Sequence, residues 1–189
     1  MTLIAARIPV EHREILLRDK PAAMIAASPK ATVPVLILPD GLVIDESLDI
    51  MRWALDQNDP LSWGVPDHAL IETIDGPFKH HLDRMKYAHR YDGADPVAHR
   101  AAAVALLHPL EDRLKTSPFL RGTSPTATDV AIFPFVRQFA RCDLAAWSAE
   151  SLPNLARWLD ALTGSALFES AMAKHPVWTE GSTASKEAA

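Results

Sequence analysis

The chain has 189 residues, long enough for one sizeable core or for two small domains. Hydrophobic residues make up 48% and charged residues 23%, an ordinary globular balance, and the net charge of −5 argues against a general nucleic-acid binder and against an anionic membrane surface. No apolar run approaches a membrane span, the N-terminus lacks a signal-peptide pattern, and the single cysteine, Cys142, excludes an internal disulfide framework and a Cys-x-x-Cys redox pair. A reducing, bacterial-type cytosol fits this usage. No internal repeat is visible.

Met1–Arg7 is short and mostly apolar. Ile8-Pro9 leads into Val10–Leu17, which reads as a strand near a sheet edge because a proline opens it and charges interrupt it. Asp19 is placed to cap a short helix over Ala22–Ala27 with Pro21 in its first turn, and Pro29 ends that helix. Thr32-Val33-Pro34 then stands ahead of the apolar run Val35–Leu38. Asp40-Gly41 separates this run from Leu42–Ile44, so the two runs predict a tight antiparallel hairpin. Asp45-Glu46-Ser47 opens a helical pattern with Leu48, Met51 and Leu55 on one stripe. This order puts a carboxylate, a hydroxyl and free helix N–H groups at one point. Such a point suits a small ligand that carries both an ammonium and a carboxylate.

Val33-Pro34 before a strand, followed by Glu46-Ser47 at a helix start, resembles the glutathione-binding half of the glutathione transferases. The resemblance implies a cis proline at Pro34, a Val33 backbone offered to the cysteinyl part of glutathione, and Glu46-Ser47 holding its γ-glutamyl end. It implies a thioredoxin-like domain over residues 1–58, in which Met1–Arg7 corresponds to the last turns of a first helix. The strand before that helix, and the loop whose Tyr, Ser or Cys activates the glutathione sulfur in the family, have no counterpart here. No catalytic residue is therefore assigned. Without that strand, Val10–Leu17 is expected to pair differently, to borrow a partner from another chain, or to stay loosely held.

Asp56–Pro66 is a linker by composition, and everything after it reads helical, giving an all-α second domain over residues 67–178 and a flexible polar tail over 179–189. Gly76-Pro77 starts a long pattern in which Phe78, Leu82, Met85 and His89 face a core. A second helix spans about Val97–Lys115, with Ala101, Val104, Leu107 and Leu114 inside and Pro109 within it. Thr126–Asp129 has capping-box form and leads into Val130–Phe135, an almost wholly apolar helix that belongs at the centre of a bundle. Leu155, Trp158, Leu159 and Leu162 line a further helix that Gly164 breaks, and a last helix follows from about Ser165 to Lys174. A buried helix behind such a capping box is typical of the family's second domain.

His80, Arg84, Tyr87 and Tyr91 follow one another at spacings of four, three and four, so they share one side of a helix. Arg84 and Tyr87 are the candidate residues for a second, electrophilic substrate; a solvated helix face, with Glu72 and Asp83 offsetting the positive charge, accounts for the same pattern. No His-Glu-x-x-His or Cys/His cluster has metal-ligand spacing, and the adjacent His80-His81 diverge on a helix, so no metal is expected. Cys142, between Arg141 and Asp143, reads as a structural thiol. The family's chemistry, in which a bound thiolate attacks an electrophile, implies glutathione as co-substrate and a cytoplasmic homodimer acting on small electrophiles, with detoxification as its role. The competing expectation is a non-catalytic binding or regulatory module.

Overall fold

The computed structural model describes residues 1–181 and the backbone of Ser185–Glu187. The chain forms two compact units, one of Met1–Ser62 with the segment from Ala166 onward, the other of Trp63–Ser165.

The first unit begins with helix α1 (Thr2–Ala5) and strand β1 (Val10–His12). Helix α2 (Ala22–Ala27) follows with Pro21 at its N-cap, and no side chain caps it, so Asp19 does not take the expected role; its N–H is instead held by the Leu16 carbonyl at 2.9 Å in a tight turn. Strands β2 (Leu36–Ile37) and β3 (Val43–Ile44) pair antiparallel, with Leu36 opposite Ile44. The Pro-Asp-Gly turn closes through Gly41 N–H to Leu38 C=O at 2.9 Å, and Gly41 sits at φ 88°, where a side chain would be strained. Helix α3 (Ser47–Gln57) buries Ile50, Met51 and Ala54 against Ala5 and Ala6. The expected stripe is thus rotated: Leu48 and Leu55 are only half-buried, because α1 covers the face one residue further round.

β1 does find a partner. Strand β4 (Ser185–Glu187) runs antiparallel to it, with Val10 opposite Glu187. Of the tail expected to be flexible, this part pairs with the open edge of β1; residues 182–184, 188 and 189 lie outside the described residues. The preceding segment is also held: Trp178 N–H donates to Glu14 C=O at 2.8 Å, the His12 and His175 rings stack 4.2 Å apart, and Arg13 lies 4.9 Å over the Trp178 ring. These contacts, with helix α10 (Ala166–Ala171) packed on α1, group Ala166–Trp178 with the first unit rather than with the helices expected over 67–178. A contact partner far along the chain leaves no trace in local composition.

In the second unit, helix α4 (His68–Thr73), a π-helical stretch (Ile74–Phe78) and helix α5 (Lys79–Lys86) run on without a break. The helical run starts at His68, where the stretch expected to be helical begins, because Asp67 caps it by accepting Leu70 N–H at 3.1 Å; Gly76-Pro77 lies inside the run rather than starting a new pattern. The wider π-turn accommodates Pro77, which has no N–H to give. Helix α5 stops at Lys86, which leaves Met85 half-buried and His89 exposed on a short 3₁₀ turn (Ala88–Arg90).

Helix α6 (Pro96–Leu114) buries Ala103, Leu107, Leu110, Glu111 and Leu114, while Ala101 is exposed and Val104 half-buried. A buried glutamate inside that stripe masked it in the sequence. The Glu111 carboxylate accepts Asn154 Nδ2 at 2.7 Å and Leu155 N–H at 2.8 Å, capping helix α9 (Pro153–Thr163) from a neighbouring helix. Helix α7 (Ala127–Cys142) carries the capping box, both halves in place, and buries Ile132, Phe133, Val136 and Phe139. A short helix α8 (Leu144–Ala149), capped by Asp143, was not legible in advance. Trp158, fully buried on α9, donates from Nε1 to Asp129 Oδ1 at 2.8 Å, joining the capping box to the core.

Candidate functional site

Two short segments of the first unit meet at one polar site: the turn after α2 brings Ser28 and Lys30, and the start of α3 brings Asp45, Glu46 and Ser47. Ser28, 1% exposed, donates from Oγ to Asp45 Oδ2 at 2.9 Å. Lys30 Nζ donates to Asp45 Oδ1 at 3.2 Å and to Glu46 Oε1 at 2.8 Å. Two carboxylates and one ammonium leave this trio with one net negative charge. The Ser28 hydroxyl, and after it Lys30, hold the Asp45 carboxyl below its ordinary 3.8. Glu46, then Asp45, raise the Lys30 ammonium above 10.5.

The Val33–Pro34 peptide bond is cis. Val33 is 49% exposed, and among the described residues no hydrogen bond engages its backbone N–H or C=O. Glu46 occupies the N-cap position of α3 but makes no capping bond, since Lys30 holds its carboxylate. The first N–H groups of α3 and the exposed Ser47 hydroxyl are thereby left for a ligand. Lys30 was not singled out in the sequence, and Asp45 entered only as part of the Asp45-Glu46-Ser47 helix opening. The signal was there: a lysine two residues past Ser28, and a second acid directly before Glu46-Ser47.

A cavity of about 160 Å³ opens nearby, lined among others by Arg13, Met24, Val33, Ile37 and Trp178. Val33 forms part of its wall, whereas Pro34, Glu46 and Ser47 do not. Its lining is mostly apolar, so the chemistry of charge recognition belongs to the Lys30–Asp45–Glu46 trio.

In the second unit, the stripe from His80 to Tyr91 is split by the end of α5. Arg84 Nη1 bonds His80 Nδ1 at 2.9 Å, and its guanidinium lies 4.4 Å over the Tyr91 ring. Tyr87, at the helix end, is flanked instead by Lys86 at 4.8 Å and Arg90 at 4.5 Å. Asp83 pairs with Lys79 at 2.6 Å, as a solvated face does. Burial raises the Cys142 thiol above 9.0, against smaller opposing effects of Lys86 and Arg100, although the residue as a whole is exposed; this is not an activated thiolate. The structure also gathers His80, His81 and His99, which the reading of spacings along the chain did not connect. Burial, followed by the charges of His80, His99 and Arg84, lowers the His81 pKa below 6.5.

Comparison with known proteins gives two family matches that together span most of the chain. The glutathione S-transferase N-terminal domain matches residues 1–63, and the glutathione S-transferase C-terminal domain matches residues 76–161. A probable cytosolic glutathione S-transferase of Oryza sativa subsp. japonica, DHAR1, is 27% identical over 168 residues, covering 86% of this chain and 75% of the rice protein. Among solved structures, the ternary complex of BphK, a bacterial GST, superimposes with a TM-score of 0.72 at 20% identity, over 90% of each chain. A glutathione S-transferase from Methylobacillus flagellatus KT, solved with GSH bound, gives 0.72 at 21% identity over 89% of each chain. These likenesses establish the fold: a small thioredoxin-like unit with an all-helical unit.

Proposed function

Since the chain belongs to the glutathione transferase family, we propose that it binds glutathione at the start of α3 and joins its sulfur to small electrophiles. The observation that carries this reading is the Lys30 bridge to Asp45 and Glu46, which ties the turn after α2 to the helix start. Two recognition elements of a γ-glutamyl peptide are then fixed beside each other. The α-carboxylate of glutathione is taken by the α3 N–H groups and the Ser47 hydroxyl, where the helix dipole favours an anion. The α-ammonium is taken by the net negative trio, through Glu46. The free N–H and C=O of Val33 pair with the cysteinyl backbone in the manner of an added strand.

The reaction needs the bound thiol as thiolate. Its sulfur forms a bond to the electrophilic carbon, the leaving group departs with its electron pair, and the thiol proton goes to solvent. No residue is assigned to that activation. Arg84 and Tyr87 remain the proposed residues for the electrophile. The same reading makes the protein a cytoplasmic homodimer that handles small electrophiles rather than nucleic acid or membrane. The cytosolic rice relative is in keeping with it, and among the described residues no helix is long and apolar enough to cross a membrane.

The test is thermal unfolding of the full chain with and without glutathione, beside Glu46→Gln and Ser47→Ala. Ligand at a hundred times its dissociation constant stabilises the fold by about 2.7 kcal/mol, a shift of several degrees. Both variants should reduce the shift, and turnover of a chromogenic aryl halide should follow binding. A shift without turnover favours the non-catalytic module. The absence of any shift at millimolar glutathione overturns the proposal.

A further inference from the structure

We propose that His80, His81 and His99 form a binding site for a divalent late transition-metal ion of the zinc, nickel and copper class. His80 and His81 are consecutive on α5, and His99 lies in the first turn of α6, which packs along α5. One ligand nitrogen from each lies within 4.8 Å of the others. His81 Nδ1 and His99 Nδ1 are 2.8 Å apart. Two imidazole nitrogens at that distance need something positive between them, because two lone pairs repel. A proton on one ring serves at this distance; a metal ion bound by both rings serves once the pair opens slightly.

The geometry needs modest adjustment. Nitrogens sharing a tetrahedral ion at about 2.0–2.1 Å stand roughly 3.4 Å apart. The His81–His99 pair must open by about half an ångström, and the other pairs must close by no more than about 1.4 Å. The divergence of neighbours on a helix is offset here by the rings themselves, whose centroids lie 5.1 Å apart for both His80–His81 and His81–His99. His80 is exposed while the other two are half-buried, which gives an ion a way in and leaves a fourth position for water or a small anionic ligand. An all-imidazole set selects zinc, nickel or copper over magnesium or calcium, which take oxygen ligands.

Arg84 is the built-in competitor. Its Nη1 occupies His80 Nδ1 at 2.9 Å and adds a positive charge at the site. Since the guanidinium also rests on Tyr91, it has a place to remain once His80 turns to the metal. Arg84→Met should therefore tighten binding by several-fold.

The experiment is titration of the tag-free full-length protein with Zn²⁺, Ni²⁺ and Cu²⁺ against an indicator dye, with Mg²⁺ as control. One ion per chain is expected, with Mg²⁺ silent. His81→Ala and His99→Ala should each weaken binding at least tenfold, His80→Ala should weaken it less, and His12→Ala and His175→Ala should leave it unchanged. If His81→Ala or His99→Ala misfolds by circular dichroism, the nitrogen hyperfine pattern of the Cu²⁺ complex decides, with three imidazoles expected. Equal affinity in wild type and His99→Ala overturns the proposal. So does loss of binding in His175→Ala, which would place the ion on the stacked His12–His175 pair, or a copper signal from fewer than two imidazoles.

Discussion

Asp129 is the residue whose removal the structure prices most directly. It is fully buried, and four donors end on its carboxylate. Leu120 N–H at 2.8 Å and Trp158 Nε1–H at 2.8 Å meet Oδ1; Thr126 N–H at 2.9 Å and the Thr126 hydroxyl at 2.7 Å meet Oδ2. Asp129→Ala strands the Leu120 and Trp158 donors where water does not reach, each costing about 1–3 kcal/mol. It also dissolves the capping box of α7, worth about 1 kcal/mol. The sum is about 3–7 kcal/mol, a large part of a total stability of about 5–15 kcal/mol. Asp129→Asn keeps an oxygen for Leu120 and Trp158 but turns an amide N–H₂ toward the Thr126 N–H, so about 2 kcal/mol is expected.

Urea unfolding at constant slope measures both variants, with Thr126→Ala as the third corner of a cycle. Thr126→Ala should cost about 1 kcal/mol alone, and Asp129→Ala should cost less in that background than in wild type. The reasoning fails if Asp129→Ala stays within 1 kcal/mol of wild type, or if the two changes simply add. Either result would mean that the buried donors find other acceptors when the carboxylate is gone.

Glu111→Gln should destabilise by about 2 kcal/mol, because one oxygen of the cap on α9 becomes a donor facing either the donors of Asn154 or the Leu155 N–H; the same unfolding assay checks it. The Asp67 carboxyl lies below 3.8 in the folded chain, through its bond to Leu70 N–H and then Arg113. A depressed carboxyl contributes stability that is present above the unfolded pKa and lost as pH falls through the folded one. Asp67→Ala should therefore be about 1 kcal/mol less stable than wild type at neutral pH, and the gap should close below about pH 4. At the candidate clamp, Lys30→Met and Ser28→Ala should both raise the Asp45 pKa in a carbon-detected NMR titration. Ser28→Ala should raise it further, since the serine hydroxyl is the larger cause; the reverse order would count against the arrangement described.

What the sequence made legible depends on how local the cause is. The Pro-Asp-Gly hairpin, the Thr126–Asp129 capping box and the buried face of α9 are set by residues within a turn or two of one another, and the structure has all three. The inner face of α6 was read in part: Leu107 and Leu114 are buried as expected, whereas Glu111 was missed because its partners lie on α9, forty-three residues away. Gly76-Pro77, which reads as the start of one long helical pattern, lies instead inside a continuous helical run that Asp67 caps: a π-turn absorbs it.

The same division runs through the candidate sites. Val33, Pro34, Glu46 and Ser47 were nameable because their order along the chain carries the resemblance. Lys30 was not, because its role depends on the turn after α2 folding back on the start of α3, and that contact spans sixteen residues. The histidines make the point most sharply. Judged along one helix, His80 and His81 point apart and a metal is unexpected. Packed against α6, His81 meets His99 eighteen residues on, nitrogen to nitrogen. A ligand set shared between two helices has no spacing rule to betray it. It becomes visible only when the register between the helices is known, and that register is fixed by the apolar residues of α5 and α6, not by the histidines themselves.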